Sequence, residues 1–77
     1  MTQLDVCYRY GLQPGEAEML GINRMSEVYG IRSVRFDEAE RTVTVEYDAT
    51  RLSNQIVASL LRRAGIDLKE RVQLVSQ

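Results

Sequence analysis

Few side chains in this 77-residue chain can ligate a metal or act as a nucleophile. The chain has one cysteine, Cys7, three methionines and no histidine. Histidine is the commonest general base and a frequent nitrogen ligand, and a soft ion such as Cu(I) needs two or more sulfur ligands close together. The residue types therefore predict no catalytic residue, no resident cofactor and no complete thiol site.

The remaining candidates each have an ordinary structural interpretation. Cys7 lies in an alternating run and is expected to be a small strand residue on the open face of a sheet; ligation of a metal together with its symmetry mate in a dimer is the weak alternative. Met25 follows helical spacing and is expected in the core. Glu16 and Glu18 fall in the first turn of a predicted helix, where carboxylates complement the helix dipole.

The clearest element is a β-hairpin over residues 30–48. Apolar residues take every second position on both sides of a polar turn, Asp37–Arg41: Val34 and Phe36 before it, and Val43, Val45 and Tyr47 after it. This alternation is typical of strands with one dry and one wet face. The turn length favours a loop of four or five residues.

The segments on either side of the hairpin predict one more strand and a helix each. A first strand covers Leu4–Tyr10, with Leu4, Val6 and Tyr8 facing inward. A helix follows from about Gly15 to about Tyr29, with Pro14 suited to its first turn and Gly30 just past its end. Its apolar residues are Ile22, Met25, Val28 and Tyr29.

The segment after the hairpin predicts a helix followed by a strand. Ser53 is the expected N-cap of a helix that ends at Gly65, with an apolar stripe of Ile56, Val57, Leu60, Leu61 and Ala64. Val72 and Leu74 fit a short final strand. The order strand, helix, strand, strand, helix, strand predicts an α+β ferredoxin-like βαββαβ sandwich, with a four-stranded antiparallel sheet and two helices on one face. We expect residues 1–77 to form one domain.

Composition excludes several classes of function. The net charge is −1, with ten basic and eleven acidic residues, so there is no basic excess for nucleic acid. The outward strand positions carry no aromatic residue for stacking RNA bases: they are Asp5, Cys7, Arg9, Thr42, Thr44 and Glu46. We expect no membrane insertion, no signal peptide and a cytoplasmic location.

Three segments together resemble the heavy-metal-associated (HMA) domain, a family of small copper chaperones and amino-terminal modules of metal-transporting ATPases. They are Gly30–Phe36, Val43–Asp48 with its closing Tyr-Asp pair, and Ile56–Ile66 with its Ala-Gly-apolar end. The resemblance extends from about Leu4 to about Leu74 and implies the same fold.

The chain departs from this family at the metal motif. The family carries Met-x-Cys-x-x-Cys in the loop after the first strand, whereas this chain reads Gly11–Met19 there without a cysteine. The two cysteine positions fall near Pro14 and Ala17. No metal ligand can therefore be carried over from the resemblance.

These observations favour a non-enzymatic interaction module, linked by resemblance to metal transport or homeostasis. Arg9, Arg35 and Glu46 are the candidate interaction residues, on the open face of the sheet. A protein partner is expected, with a metal-transporting ATPase as one candidate, and the edge strands permit a homodimer. A metal carrier using Cys7 in a dimer and a small-ligand regulatory domain are the alternatives.

Overall fold

A computed structural model describes residues 3–72. The elements are β1 (Gln3–Tyr10), α1 (Glu16–Met25), β2 (Ile31–Asp37), β3 (Thr42–Asp48), α2 (Asn54–Arg63) and β4 (Leu68–Val72). The sheet is antiparallel in the order β2-β3-β1-β4. This confirms the predicted ferredoxin-like topology and places β2 and β4 at the edges. No helix among the described residues is long and apolar enough to cross a membrane.

The core lies between one sheet face and both helices. Inward residues of the three longest strands meet buried residues of α1 and α2: Val6, Tyr8, Tyr10, Ile31, Val43, Val45, Tyr47, Ile22, Met25, Val57, Ala58 and Leu61. The strand parity predicted from the sequence is correct, because Val6 pairs with Val45 and Tyr8 with Val43. Met25 is a core residue, 4% exposed.

Three residues predicted to be inward are exposed. Leu4, Tyr29 and Ile56 have exposed fractions of 47%, 73% and 47%. Leu4 has the core parity but lies near the start of β1. Tyr29 follows the end of α1, and its ring packs under the Arg51 guanidinium, 4.2 Å from the ring centroid. Ile56 lies in the first turn of α2.

Helix α1 is shorter than predicted. It begins at Glu16 after the N-cap Gly15, so Pro14 precedes the helix instead of lying in its first turn. The Glu18 carboxylate accepts the Gly15 N–H at 2.7 Å and caps this end. At the other end the helix stops at Met25, and Gly30, with a φ of 104°, leads into β2 instead.

Helix α2 begins and ends as predicted. The Ser53 hydroxyl accepts the Ile56 N–H at 3.3 Å. At the C-terminus Gly65 has a φ of 97°, donates to the Arg62 carbonyl, and is followed by Ile66, which donates to the Leu61 carbonyl. These two bonds form a Schellman motif and turn the chain toward β4.

Strand β4 begins earlier than predicted, at Leu68. Its residues Lys69, Glu70 and Arg71 are polar and exposed, as is common for an edge strand. They lack the alternation that predicted the other strands. Residues 73–77, which include the predicted inward Leu74, lie outside the described residues.

Candidate functional site

The candidate site is the end of the sheet where the resemblance places a metal loop. Three connections meet there: residues 11–15 after β1, the β2–β3 turn at residues 38–41, and residues 64–67 before β4. We call these segments, with the first turn of α1 and the flanking Asp37 and Lys69, the loop end.

Backbone hydrogen bonds hold the three connections together. The Tyr10 N–H donates to the Arg41 carbonyl and the Gly11 N–H to the Asp67 carbonyl, both at 2.9 Å. The Arg41 guanidinium donates back to the Gly11 carbonyl at 3.1 Å. The backbone of Arg41 has a φ of 55°, in the left-handed region that residues other than glycine adopt infrequently. The loop after β1 is therefore tied at its first residue to both neighbouring connections.

Cys7 lies away from the loop end. It faces the open side of the sheet, as predicted, between Thr44 on β3 and Val72 on β4. Its side chain is nevertheless buried, at 5% exposure, and lies outside the hydrophobic core cluster. Within residues 3–72 no three cysteine, aspartate or glutamate side chains converge in a way that could hold a metal ion.

A cavity of about 170 Å³ opens at the loop end. Inward-facing aromatic residues of β1 and β2, the loop, α1 and the hairpin turn line it: Tyr10, Phe36, Gln13, Pro14, Met19 and Glu38. The rings of Tyr10 and Phe36 meet edge to face, with centroids 5.8 Å apart. Met19, which lines this cavity, is 41% exposed and does not belong to the hydrophobic core cluster.

Beside the cavity, Tyr10 carries a buried polar group, its hydroxyl. Tyr10 is 1% exposed, and its hydroxyl has no hydrogen-bond partner among the described residues. Burial raises the pKa of Tyr10 above its usual 10.0, the nearby Glu38 and Asp37 carboxylates raise it further, and Arg41 partly opposes them. A buried polar group without a partner costs about 1–3 kcal/mol of stability.

The loop end is acidic although the chain as a whole is nearly neutral. It carries six carboxylates and two cations: Glu16, Glu18, Asp37, Glu38, Glu40 and Asp67 against Arg41 and Lys69. Lys69 pairs with Asp67 at 3.5 Å. Leu12, in the loop after β1, is 73% exposed. The local excess is four negative charges, and the net charge of the chain is −1, so the remaining residues are positive on balance.

The candidate interaction residues Arg9, Arg35 and Glu46 all lie on the open face, as the strand parity predicted. Arg9 is opposite Thr42, Arg35 opposite Thr44, and Glu46 opposite Asp5. Arg9 and Glu46 are thus separated by about four residues, roughly 13 Å along the strands. Arg9 pairs instead with Glu70 of β4, at 3.8 Å. The structure brings the three residues to one face without joining them into one cluster.

The opposite end of the sheet carries a structural carboxylate. Asp48, the second residue of the Tyr-Asp pair, accepts the Thr50 hydroxyl at 2.6 Å and the Thr50 N–H at 2.9 Å. The Arg51 guanidinium lies 3.8 Å away. The Thr50 hydrogen bonds hold the pKa of Asp48 below its usual 3.8, against the opposing effect of burial, and Arg51 lowers it further. This arrangement fixes the turn between β3 and α2.

The antiparallel sheet order and the two helices on one face are those of the ferredoxin-like HMA fold. Solved structures with this fold include the following two. Oxidised MerP from Ralstonia metallidurans CH34 superposes with a TM-score of 0.70 at 18% identity, over 90% of this chain and 97% of MerP. The N-terminal domain of PacS from Synechocystis PCC6803 superposes with a TM-score of 0.62 at 20% identity, over 87% of this chain and 96% of that domain.

Sequence comparison adds no relative. No protein-family model matches the chain, and no curated protein matches it. The likeness at 18–20% identity concerns the fold, and what the loop end does must be argued from its own residues.

Proposed function

We propose that this chain is a non-enzymatic interaction module on an HMA-type scaffold, which binds a protein partner through its loop end. The observation that supports the proposal most is the composition of that surface. Where the resemblance places a thiol pair, this chain has a loop held by backbone hydrogen bonds, an exposed Leu12 and, in the adjoining segments, an excess of carboxylates.

Such a surface suits a basic partner with an apolar contact. An exposed leucine and a half-exposed methionine offer apolar area, while the surrounding carboxylates repel acidic partners and attract basic ones. A link to metal transport is inferred from the sequence resemblance and from the fold shared with MerP and the PacS N-terminal domain. A metal-transporting ATPase encoded beside this chain would strengthen that link.

The position of Cys7 does not favour the alternative metal carrier. A thiolate ligand shared between two copies must be reachable, and Cys7 is 5% exposed between Thr44 and Val72. Titration of Cu(I) and Zn(II) under reducing conditions tests this directly. Tight binding of one ion per chain or per dimer, abolished by Cys7→Ser, would contradict the proposal and establish a carrier.

The proposed docking surface is tested by capture from the native host with the full chain and two charge-altering variants. Leu12→Lys with Glu38→Lys places two cations on the loop end, whereas Arg35→Glu changes the candidate interaction surface on the open face. All three positions are exposed, so neither variant is expected to unfold the chain.

We expect one partner to be captured by the wild type and by Arg35→Glu, and to be lost with the loop-end variant. Loss with Arg35→Glu and retention with the loop-end variant would instead place the docking surface on the open face. A matched measurement of the melting temperature shows that each variant is folded.

A further inference from the structure

We propose that the groove between α1 and α2 is a second docking surface, which binds an amphipathic helix of a protein partner that carries carboxylates beside its apolar face. The inference goes beyond the proposed function and does not rest on it, because the lining of the groove shares only Ala64 with the loop end. The occupant is defined by its apolar face and by its negative charge.

The groove has an apolar floor. Its volume is about 260 Å³, and apolar residues of both helices and their flanking segments line it: Gly21, Met25, Val28, Leu60 and Ala64. An engineered cavity of ~150 Å³ already accommodates benzene, so this groove has room for more than one apolar side chain. A Cβ at Gly21 would lie 2.8–2.9 Å from Ala64, so the helices touch there and their own packing forms the floor.

Exposed apolar side chains continue this surface along both helices. Leu20 precedes Arg24 by one turn of α1, and Ile56 precedes Leu60 by one turn of α2, so each pair lies on one side of its helix. Leu20 and Ile56 are 61% and 47% exposed. Each helix has ten residues and is about 15 Å long, which matches about three turns of a helix that buries its apolar face in a groove.

The charged groups of the groove favour an acidic occupant. Arg24 of α1 and Arg63 of α2 line it, one from each helix, and no acidic residue does. Both arginines are exposed, and the ion pairs of the described residues involve other side chains, so neither has a carboxylate partner within residues 3–72. A guanidinium from each helix can pair with carboxylates on the two flanks of an acidic helix and repels a basic one.

The test uses a fluorescently labelled synthetic helix with leucines on one face and glutamates beside them. Two counterparts carry glutamine or lysine in place of the glutamates. Binding to the full chain is measured by fluorescence anisotropy and located by amide chemical shifts in NMR. We expect saturable shifts at Gly21 and Leu60, and a glutamate peptide that binds about three- to tenfold more tightly than the glutamine peptide. Equal binding of the two, or no saturable binding, would overturn the inference.

A matched pair of charge variants tests the two arginines. Arg24→Gln with Arg63→Gln should remove the preference for glutamate over glutamine, because the paired charges are lost. Arg32→Gln with Arg35→Gln removes the same number of charges from exposed positions of β2 and should keep the preference. Arg24 and Arg63 also lie in the last turns of their helices, where cations complement the dipole. That role alone would lower the melting temperature and leave the preference intact, which would overturn the inference.

A second pair of variants tests the apolar face. Leu20→Ser with Ile56→Ser should weaken the glutamate and glutamine peptides alike, by at least about threefold. Leu12→Ser changes an equally exposed leucine of the loop end and should leave both affinities unchanged. A loss of affinity in Leu12→Ser that equals the loss in the groove variant would place the peptide elsewhere and overturn the inference.

Other occupants of the groove give different results. Sedimentation with phosphatidylserine vesicles that depends on Arg24 and Arg63, without peptide binding, would assign the groove to an anionic membrane. Concentration-dependent self-association that depends on the same two residues would assign it to a second copy of the chain. Either result would overturn the inference. Neither bears on the loop end, whose docking is tested separately by the capture that depends on Leu12 and Glu38.

Discussion

Tyr8 and Tyr10 form a matched pair for testing whether the buried Tyr10 hydroxyl is unsatisfied. Both lie on β1, both face the core, and both are buried, at 8% and 1% exposure. The Tyr8 hydroxyl donates to the Asn54 carbonyl at 3.1 Å. The Tyr10 hydroxyl has no partner among the described residues. Replacement of each by phenylalanine should therefore change the free energy of unfolding with opposite signs.

The magnitudes follow from the two environments. Tyr8→Phe loses one hydrogen bond and should destabilise the fold by about 1 kcal/mol. Tyr10→Phe removes an unpaired buried hydroxyl and should stabilise it by about 1 kcal/mol, the lower end of the cost of such a group. For a domain of this length 1 kcal/mol corresponds to roughly 4–8 °C in melting temperature, so the two variants should differ by about 8–16 °C.

Urea unfolding and thermal melting of the wild type and both variants measure the difference. If the slope of unfolding free energy against urea concentration is the same in all three proteins, the variants differ in stability and not in the surface exposed on unfolding. If Tyr10→Phe is as destabilising as Tyr8→Phe, the Tyr10 hydroxyl has a partner in the folded state, and the reasoning from an unsatisfied buried hydroxyl is refuted.

Three further predictions concern packing and pH. A Cβ at Gly21 would lie 2.8–2.9 Å from the backbone and side chain of Ala64, so Gly21→Ala should destabilise the fold by about 1–2 kcal/mol despite the better helix propensity of alanine; a gain in urea unfolding experiments would contradict this close approach of the helices. The pKa of Asp48 is lowered by its Thr50 hydrogen bonds, so the stability that the ionised carboxylate contributes is complete above about pH 4 and is lost as pH falls through the lower folded-state pKa. Asp48→Asn should therefore make the melting temperature depend less on pH in that acid range. An unchanged slope of melting temperature against pH would refute this reasoning. Since burial raises the pKa of Tyr10, the folded state holds its proton more tightly, and stability should fall as pH rises above 10 toward the folded-state pKa; this alkaline loss should be smaller in Tyr10→Phe, as measured by melting at pH 9 to 11.

The hairpin was predictable because its strands have strict alternation. Val43 and Val45 are fully buried, so the period of two directly reflects the burial of one face. Edge strand β4 has little to bury, and its polar residues Lys69, Glu70 and Arg71 gave no such pattern. Tyr29 was misplaced because its position continued the helical spacing of Ile22 and Met25, although α1 ends at Met25.

The cavity could not be predicted from the sequence in the same way. It is lined by residues of the loop after β1 and by Met19, together with two aromatic side chains from strands that are not neighbours in the sheet. One signal was present in the sequence. Tyr10 and Phe36 are the last inward residues of their strands, and the topology brings both strand ends to the same end of the sheet. The absence of thiols there, by contrast, was evident from composition alone.

The uneven distribution of charge has a consequence for how fast a partner arrives. The loop-end segments carry a local negative excess although the chain as a whole is nearly neutral. A basic partner is therefore attracted toward these carboxylates before contact, which raises the association rate. This attraction weakens as salt shortens the Debye length from about 30 Å at 0.01 M to about 8 Å at 0.15 M, so the same nearly neutral chain should be a faster binder in dilute buffer.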